Sequence, residues 1–243
     1  MKFSRELAEM RFGDGLSPLV PPPSGLAEMA GGLTAPDELA ARFPIPVYAE
    51  LRPWLTKVRD MRRKAYRNRD KPELMKAFRK ERGEGATLDL RWTAAAMLRR
   101  AHSRTAFRER LVAFWADHFT AYGKNVIMRT ATAPYVEEAI RPHVGGRFAD
   151  MLAAVVTHPV MLHYLDQNSS VGPNSRAAQR RENRDGLNEN LAREVMELHT
   201  LGVGGPYSQT DVRQLAELFT GLSYSIEDGF RFRGNFAEPG AET

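Results

Sequence analysis

The chain has 243 residues, of which 42% are hydrophobic, so it can bury a substantial core as one large or two small domains. No segment approaches the roughly 18 to 20 consecutive apolar residues of a membrane span, and the first residues lack the apolar stretch of a signal peptide, which predicts a cytoplasmic protein. The absence of cysteine excludes disulfides, thiolate metal sites and a cysteine nucleophile, so any metal would need His, Asp or Glu ligands.

The net charge of +5 is distributed unevenly. Residues 57–82 carry twelve Lys or Arg and four Asp or Glu, a net +8, and the rest of the chain is mildly acidic. Such a segment could bind nucleic acid or another polyanion, with Tyr66 and Phe78 stacking on bases. The alternative, which the pattern favours, is a pair of helices that bury Met61, Ala65 and Phe78 and expose the charges to solvent.

The N-terminal half predicts an irregular arm followed by long helices. Prolines and glycines in residues 1–46 indicate short helices joined by rigid turns. Two basic helices follow from Tyr48 to about Lys80, with a break at residues 70–72 and an end at the glycines of residues 83–85. Residues 88–123 predict two more helices that meet near Ser103.

The second helix of that pair has an aromatic face. Large apolar residues and one histidine recur at spacings of three and four, which is typical of a buried face. This face consists of Phe107, Leu111, Phe114, Trp115, His118, Phe119 and Tyr122. Three further helical pieces are predicted within residues 132–165, and residues 167–186 form a polar stretch long enough to be functional or disordered.

A helix over residues 187–201 carries a carboxylate on its apolar side. At 100° per residue, Glu194 falls inside the stripe formed by Leu187, Leu191, Val195, Leu198 and Leu201, which predicts a buried Glu194 and a His199 at the boundary or on the surface. A buried carboxylate must be protonated, ion-paired, hydrogen-bonded or bound to a cation.

The C-terminal part predicts one more helix and a hairpin. Ser208 and Asp211 form a capping box, and apolar residues flank the turn at residues 227–229. We therefore predict a mainly α-helical, multi-helix domain with a proline-rich irregular N-terminal arm and a small C-terminal β-hairpin. The expected boundaries are 1–46 for the arm, 47–223 for the helical domain and 224–243 for the hairpin and tail.

Several segments resemble a bacterial family, the domain of unknown function 1800. They are residues 188–202 (NENLAREVMELHTLG), 207–212 (YSQTDV) and 218–221 (LFTG), with Arg11-Phe12-Gly13, residues 114–119 (FWADHF) and 161–166 (MLHYLD) upstream. The resemblance covers most of residues 5–235. It implies a largely helical protein without an established reaction.

The resemblance also implies a partner and a missing portion. Family members are often encoded beside a second family similar to secreted sulfatases or phosphatases, which suggests a partner protein. Members are longer and continue past the hairpin with a segment containing His and Asp, so this chain looks like an N-terminal portion. Ala116 stands where many members have a second histidine.

The first candidate site is a carboxylate and histidine pocket. Asn190, Glu194 and Glu197 share one side of their helix, and His118 would come from the aromatic helix. Two neighbouring carboxylates raise a pKa into the range of general acid or base work. Glu194 would act as base or metal ligand, His118 as proton shuttle or ligand, and Asn190 would orient them.

The alternative is that Glu194 pairs with an arginine, such as Arg193 or Arg141, and that His118 is a hydrogen-bonded core residue. A second candidate is a set of oxygen donors around the polar stretch, in which Asp166, Asn168 and the Asn188-Glu189 start of the next helix would bind a divalent cation. Asp166 and Asn188 could instead be ordinary helix caps. Asp166 completes the predicted metal set with Glu194 and His118.

Three functions follow from these patterns. The first is acid–base or metal-assisted hydrolysis in the Glu194 pocket, with a divalent metal as the conceivable cofactor. The second is a non-enzymatic module that contacts a polyanion through residues 57–82. The third is an adaptor for the sulfatase- or phosphatase-like partner. Metalloprotease, serine-hydrolase and nucleotide-binding motifs are absent from the sequence.

Overall fold

The computed structural model describes residues 3–180 and 186–240 and confirms the mainly α-helical prediction. The α-helices of these residues are α1 Arg5–Phe12, α2 Leu26–Gly31, α3 Glu38–Arg42, α4 Tyr48–Arg67, α5 Pro72–His102, α6 Ala106–His118, α7 Thr132–Tyr135, α8 Phe148–Val156, α9 Pro159–Tyr164, α10 Arg176–Gln179, α11 Asn190–Glu194 and α12 Gln209–Leu218. None of the described helices combines the length and the apolar character needed to cross a membrane.

Short 3₁₀-helical and π-helical turns adjoin several of these helices. The 3₁₀ turns are Met128–Ala131, Arg141–His143 and Gln167–Ser169, and the π turns are Val136–Ile140 and Val195–Thr200. The predicted hairpin is confirmed as strands β1 Leu222–Ser225 and β2 Gly229–Phe232, which pair antiparallel with Leu222 opposite Phe232. The predicted Ser208–Asp211 capping box is present at the start of α12.

Helices α4 and α5 form a long antiparallel hairpin, and α5 is longer than predicted. The glycines at residues 83–85 do not end the helix, which runs through them to His102. A Cβ atom on Gly85 would lie 2.6 Å from the Trp54 ring of α4 and 2.9 Å from Thr130 Oγ1. Gly85 therefore lets two helices approach closely, and packing outweighs its low helix propensity.

The aromatic face predicted for α6 is only partly buried. Phe119 is fully buried, but Phe114 is 55% exposed and Tyr122 is 49% exposed. The buried side of α6 instead contains Arg108, Glu109 and Val112. Apolar periodicity missed this side because Glu109 is buried in an ion pair with Arg141 and Arg108 is buried with its guanidinium on the Ala35 carbonyl.

A π turn changes which residues face the core after Glu194. Leu201 N–H donates to Met196 O at 2.9 Å, an i→i+5 bond that turns the chain less per residue than an α-helix does. His199 is consequently 4% exposed, whereas Leu198 is 55% and Leu201 is 49% exposed. The predictions of a boundary or surface His199 and of buried Leu198 and Leu201 were therefore wrong.

The described part of the polar stretch, residues 167–180 and 186, is ordered against the C-terminal segment. Gly172 N–H donates to Phe236 O at 2.8 Å, and Ala177 N–H donates to Asn235 O at 2.9 Å. Gln167 and Ser175 are buried. The remaining charged run at residues 181–185 lies outside the described residues, as do residues 241–243 of the predicted tail.

Candidate functional site

The α4–α5 hairpin concentrates unpaired positive charge. Of the twelve cations in residues 57–82, three form ion pairs: Lys57 with Glu81, Arg59 with Asp60 and Glu227, and Arg63 with Asp60. The other nine are exposed and form no ion pair with a described residue. They are Arg62, Lys64, Arg67, Arg69, Lys71, Lys76, Arg79, Lys80 and Arg82.

The apolar residues of the hairpin face inward, as the solvated-helix interpretation expects. Ala65 is 1% exposed and Phe78 is 4% exposed, and Met61 packs against the same core. Phe78 therefore does not stack on a base. Tyr66 is 51% exposed, with the Arg62 guanidinium 5.7 Å from its ring centre, so it remains accessible to a ligand.

A concavity lies at the tip of the hairpin, where α4 turns into α5. Its volume is about 710 Å³, and Arg69, Lys71, Lys76 and Arg79 line it together with a single carboxylate, Glu73. Lys76 and Arg79 are three residues apart on α5 and so share a face. Four cations around one depression create a positive field that attracts anions.

Glu194 is partly buried rather than fully buried. Burial, followed by the neighbouring Glu197 carboxylate, raises the pKa of Glu194 above its ordinary value. Arg193 pairs with Glu189 at 3.1 Å and with Glu197 at 2.9 Å rather than with Glu194. The alternative in which Glu194 pairs with Arg193 is therefore not what the structure shows.

His118 lies beside His199 instead of in a carboxylate cluster. Its Nε2–H donates to the His199 carbonyl at 3.2 Å, and the two rings are 6.0 Å apart. Burial, and then the nearby His118, lowers the pKa of His199 to about 4. Asn190 is exposed, and its backbone N–H donates to Asn188 Oδ1 at 3.0 Å.

The oxygen donors predicted around the polar stretch have other partners. Asp166 forms an ion pair with Lys124 and adopts a left-handed backbone conformation with φ 55°. The Asn188 side chain donates to the Leu165 carbonyl at 2.8 Å and accepts the Asn190 N–H at 3.0 Å. Within residues 3–180 and 186–240, no group of three or more His, Asp or Glu side chains could hold a metal ion, so the predicted metal set gains no support.

A buried ion network that the sequence did not reveal joins the N-terminal arm to the helical domain. Arg141 donates to both carboxylate oxygens of Glu109 at 2.8 Å, to Asp37 at 2.9 Å and to Glu137 at 3.1 Å. Arg99, fully buried, donates to Glu137 and to the Phe43 carbonyl, each at 2.8 Å.

Arg108 extends this network by donating to the Ala35 carbonyl. Three arginines from different helices thus hold the arm between Ala35 and Phe43. Apart from the i, i+4 pair of Glu137 with Arg141, their partners are distant in sequence, so local spacing could not have identified the network.

Residues 25–243 match the family described as Protein of unknown function (DUF1800), and the chain belongs to that family. No match was found among curated proteins or among solved structures.

Proposed function

We propose that the protein is a binding module whose α4–α5 hairpin contacts the phosphate backbone of a nucleic acid. The observation that carries this proposal is the set of nine exposed, unpaired cations on one helical hairpin. Charged side chains that only keep a protein soluble can be spread over its whole surface. Here, four of the nine cations surround one concavity. Helix α4 alone, at 20 residues, spans about 30 Å, which covers several phosphates.

The proposal predicts a salt-dependent affinity that requires the tip of the hairpin. Replacing Lys76 and Arg79 by glutamine should weaken binding to a short duplex about tenfold or more and reduce the slope of log affinity against log salt by about 2. Gel retardation and fluorescence anisotropy over a salt series measure both quantities.

The matched control replaces two exposed cations outside the hairpin, Arg104 and Arg110, by glutamine, with the same loss of charge. Affinity should then change little. Equal weakening in both double variants would show that binding depends only on the net charge and not on the tip of the hairpin. If the wild-type protein does not retard nucleic acid at low salt, the proposal is rejected.

A second candidate function is acid–base chemistry at Glu194, which its raised pKa favours. A carboxyl group that retains its proton closer to neutral pH is suited to proton transfer. In this proposal Glu197 tunes the pKa of Glu194. No metal-dependent step is part of it.

The raised pKa gives a direct test of this second proposal. In an NMR titration, Glu194 should titrate above the ordinary value of 4.5. Glu197→Gln should lower the pKa of Glu194 by removing the second carboxylate, whereas Glu217→Gln on α12 should leave it unchanged. A Glu194 carboxyl that titrates at or below its ordinary value would remove the basis for the proposal.

A further inference from the structure

A second cavity lies between the C-terminal half of α5, helix α6 and the turns on either side of α7. Its volume is about 480 Å³. Small apolar side chains form much of its wall, namely Ala96 of α5, Ala113 and Ala116 of α6, and Ala133 of α7. All four are partly exposed, so the cavity opens to solvent and a ligand can reach its wall.

Two larger apolar side chains, Trp92 and Val112, also line the cavity and are 7% and 6% exposed. Small-molecule sites in proteins commonly have volumes of about 300–1,000 Å³ and mainly apolar walls with a few polar groups. An apolar group that enters such a cavity leaves water and contacts aromatic and aliphatic carbon, which favours binding. The cavity therefore suits a compound with a large apolar portion.

Most of the charged side chains at this cavity already have partners. Arg141 is paired with Glu109 at 2.8 Å and with Glu137 at 3.1 Å. Arg100 is paired with Asp14 at 2.5 Å. A ligand would have to break these pairs to bind their charges, so they do not define its chemistry.

Two charged lining residues remain, Asp89 of α5 and Arg129 of the 3₁₀ turn before α7. Neither side chain forms an ion pair or a hydrogen bond with a described residue. The hydroxyl groups of Thr93 and Thr132, which also line the cavity, donate to backbone carbonyls. Partial burial raises the pKa of Asp89, and the Arg129 cation partly offsets that rise. One carboxylate and one guanidinium therefore line the same cavity, near enough to attract each other but not paired.

A ligand that satisfies both residues must carry two opposite charges. An ammonium group would donate hydrogen bonds to Asp89, and a carboxylate would accept them from Arg129; charge-assisted bonds of this kind are the stronger class. A ligand with a single charge would leave the other residue unmatched. A free α-amino acid carries both charges on one carbon and can direct its side chain toward the apolar wall.

We propose that this cavity binds a free α-amino acid with a large apolar side chain, with its ammonium group on Asp89, its carboxylate on Arg129 and its side chain against the alanine wall. The site is separate from the basic tip of the α4–α5 hairpin and does not depend on nucleic-acid binding. Larger apolar side chains should bind more tightly because they bury more apolar surface.

Calorimetry and saturation-transfer NMR with the full chain test the proposal. Free tryptophan and phenylalanine should bind saturably, whereas glycine, which has no side chain, should not. Phenethylamine lacks the carboxylate of phenylalanine, and 3-phenylpropionate lacks its ammonium group. Each analogue should bind at least about tenfold more weakly than phenylalanine, because one charge-assisted interaction is lost.

Two charge-removing variants and one space-filling variant locate the site. Asp89→Asn and Arg129→Gln should each weaken phenylalanine binding about tenfold. Their matched controls are Asp70→Asn and Arg104→Gln, at exposed residues away from the cavity, which should leave binding unchanged. Ala113→Leu should weaken binding because the larger side chain occupies the cavity. Circular dichroism checks that each variant is folded.

Absence of saturable phenylalanine binding by the wild-type chain would overturn the proposal. An analogue with a single charge that binds as tightly as phenylalanine would overturn it as well, and so would an Asp89→Asn variant that binds phenylalanine as well as Asp70→Asn does.

Discussion

Replacing Arg141 by methionine should lower the free energy of unfolding by about 3–5 kcal/mol. The Glu109 side chain is 3% exposed and receives both of its short hydrogen bonds from this guanidinium. Removing the cation leaves a buried carboxylate without compensation, which costs far more than the loss of one surface pair. Urea denaturation followed by circular dichroism measures the change.

Arg213→Met provides the comparison for this variant. Arg213 also pairs with a glutamate, Glu217 at 3.2 Å, but its side chain is 60% exposed, so the cost should stay below about 1 kcal/mol. The double variant Arg141→Met with Glu109→Leu should recover part of the loss because the most deeply buried carboxylate of the network, Glu109, is then no longer left without its cation. Equal costs for Arg141→Met and Arg213→Met would show that the network contributes no more than a surface pair.

Mild acid should destabilise the protein through two buried histidines. Burial lowers the pKa of His158 to about 3, and burial together with His118 lowers the pKa of His199 to about 4, both from an ordinary value of 6.5. Below 6.5 the unfolded chain binds protons that the folded chain does not, so stability falls as pH decreases. The loss is complete only when the pH reaches the folded pKa values.

Between about pH 7.5 and pH 5, each histidine should lower the free energy of unfolding by about 2 kcal/mol, and the two together by about 4 kcal/mol. Chemical denaturation at several pH values measures the slope of the unfolding free energy against pH. His158→Gln should reduce the slope by about half, whereas His143→Gln, at a partly exposed histidine, should leave it unchanged. An unchanged slope in His158→Gln would mean that His158 remains titratable in the folded protein.

Local patterns in the sequence were sufficient for most of the secondary structure. Apolar periodicity and capping residues predicted the break between α4 and α5, the junction at Ser103 and the helices around His158-Pro159. The turn at residues 227–229 predicted the hairpin. These features depend on residues that are neighbours in sequence, and a single sequence contains that information.

The errors arose where tertiary contacts decide the local structure. Gly85 reads as a helix end but serves a close contact with Trp54. The π turn after Glu194 shifts the phase of the helix, which brings His199 inward and turns Leu198 outward. An assumed rotation of 100° per residue cannot anticipate a change of helix type.

The candidate sites also combine features that the sequence predicts with features that only the folded structure shows. The excess of cations in residues 57–82 is visible in the composition, but their convergence on one concavity depends on how α4 and α5 turn.

The arginines that hold residues 35–43 also determine how the arm can move. Detaching this segment would remove a hydrogen-bond acceptor from Arg99, Arg108 and Arg141 at the same time, so the arm should not detach one residue at a time. It should open only with the helical domain, as part of one cooperative folding unit. Backbone amides of α3 should accordingly resist hydrogen exchange much longer than a short, surface-lying helix near a chain terminus ordinarily would.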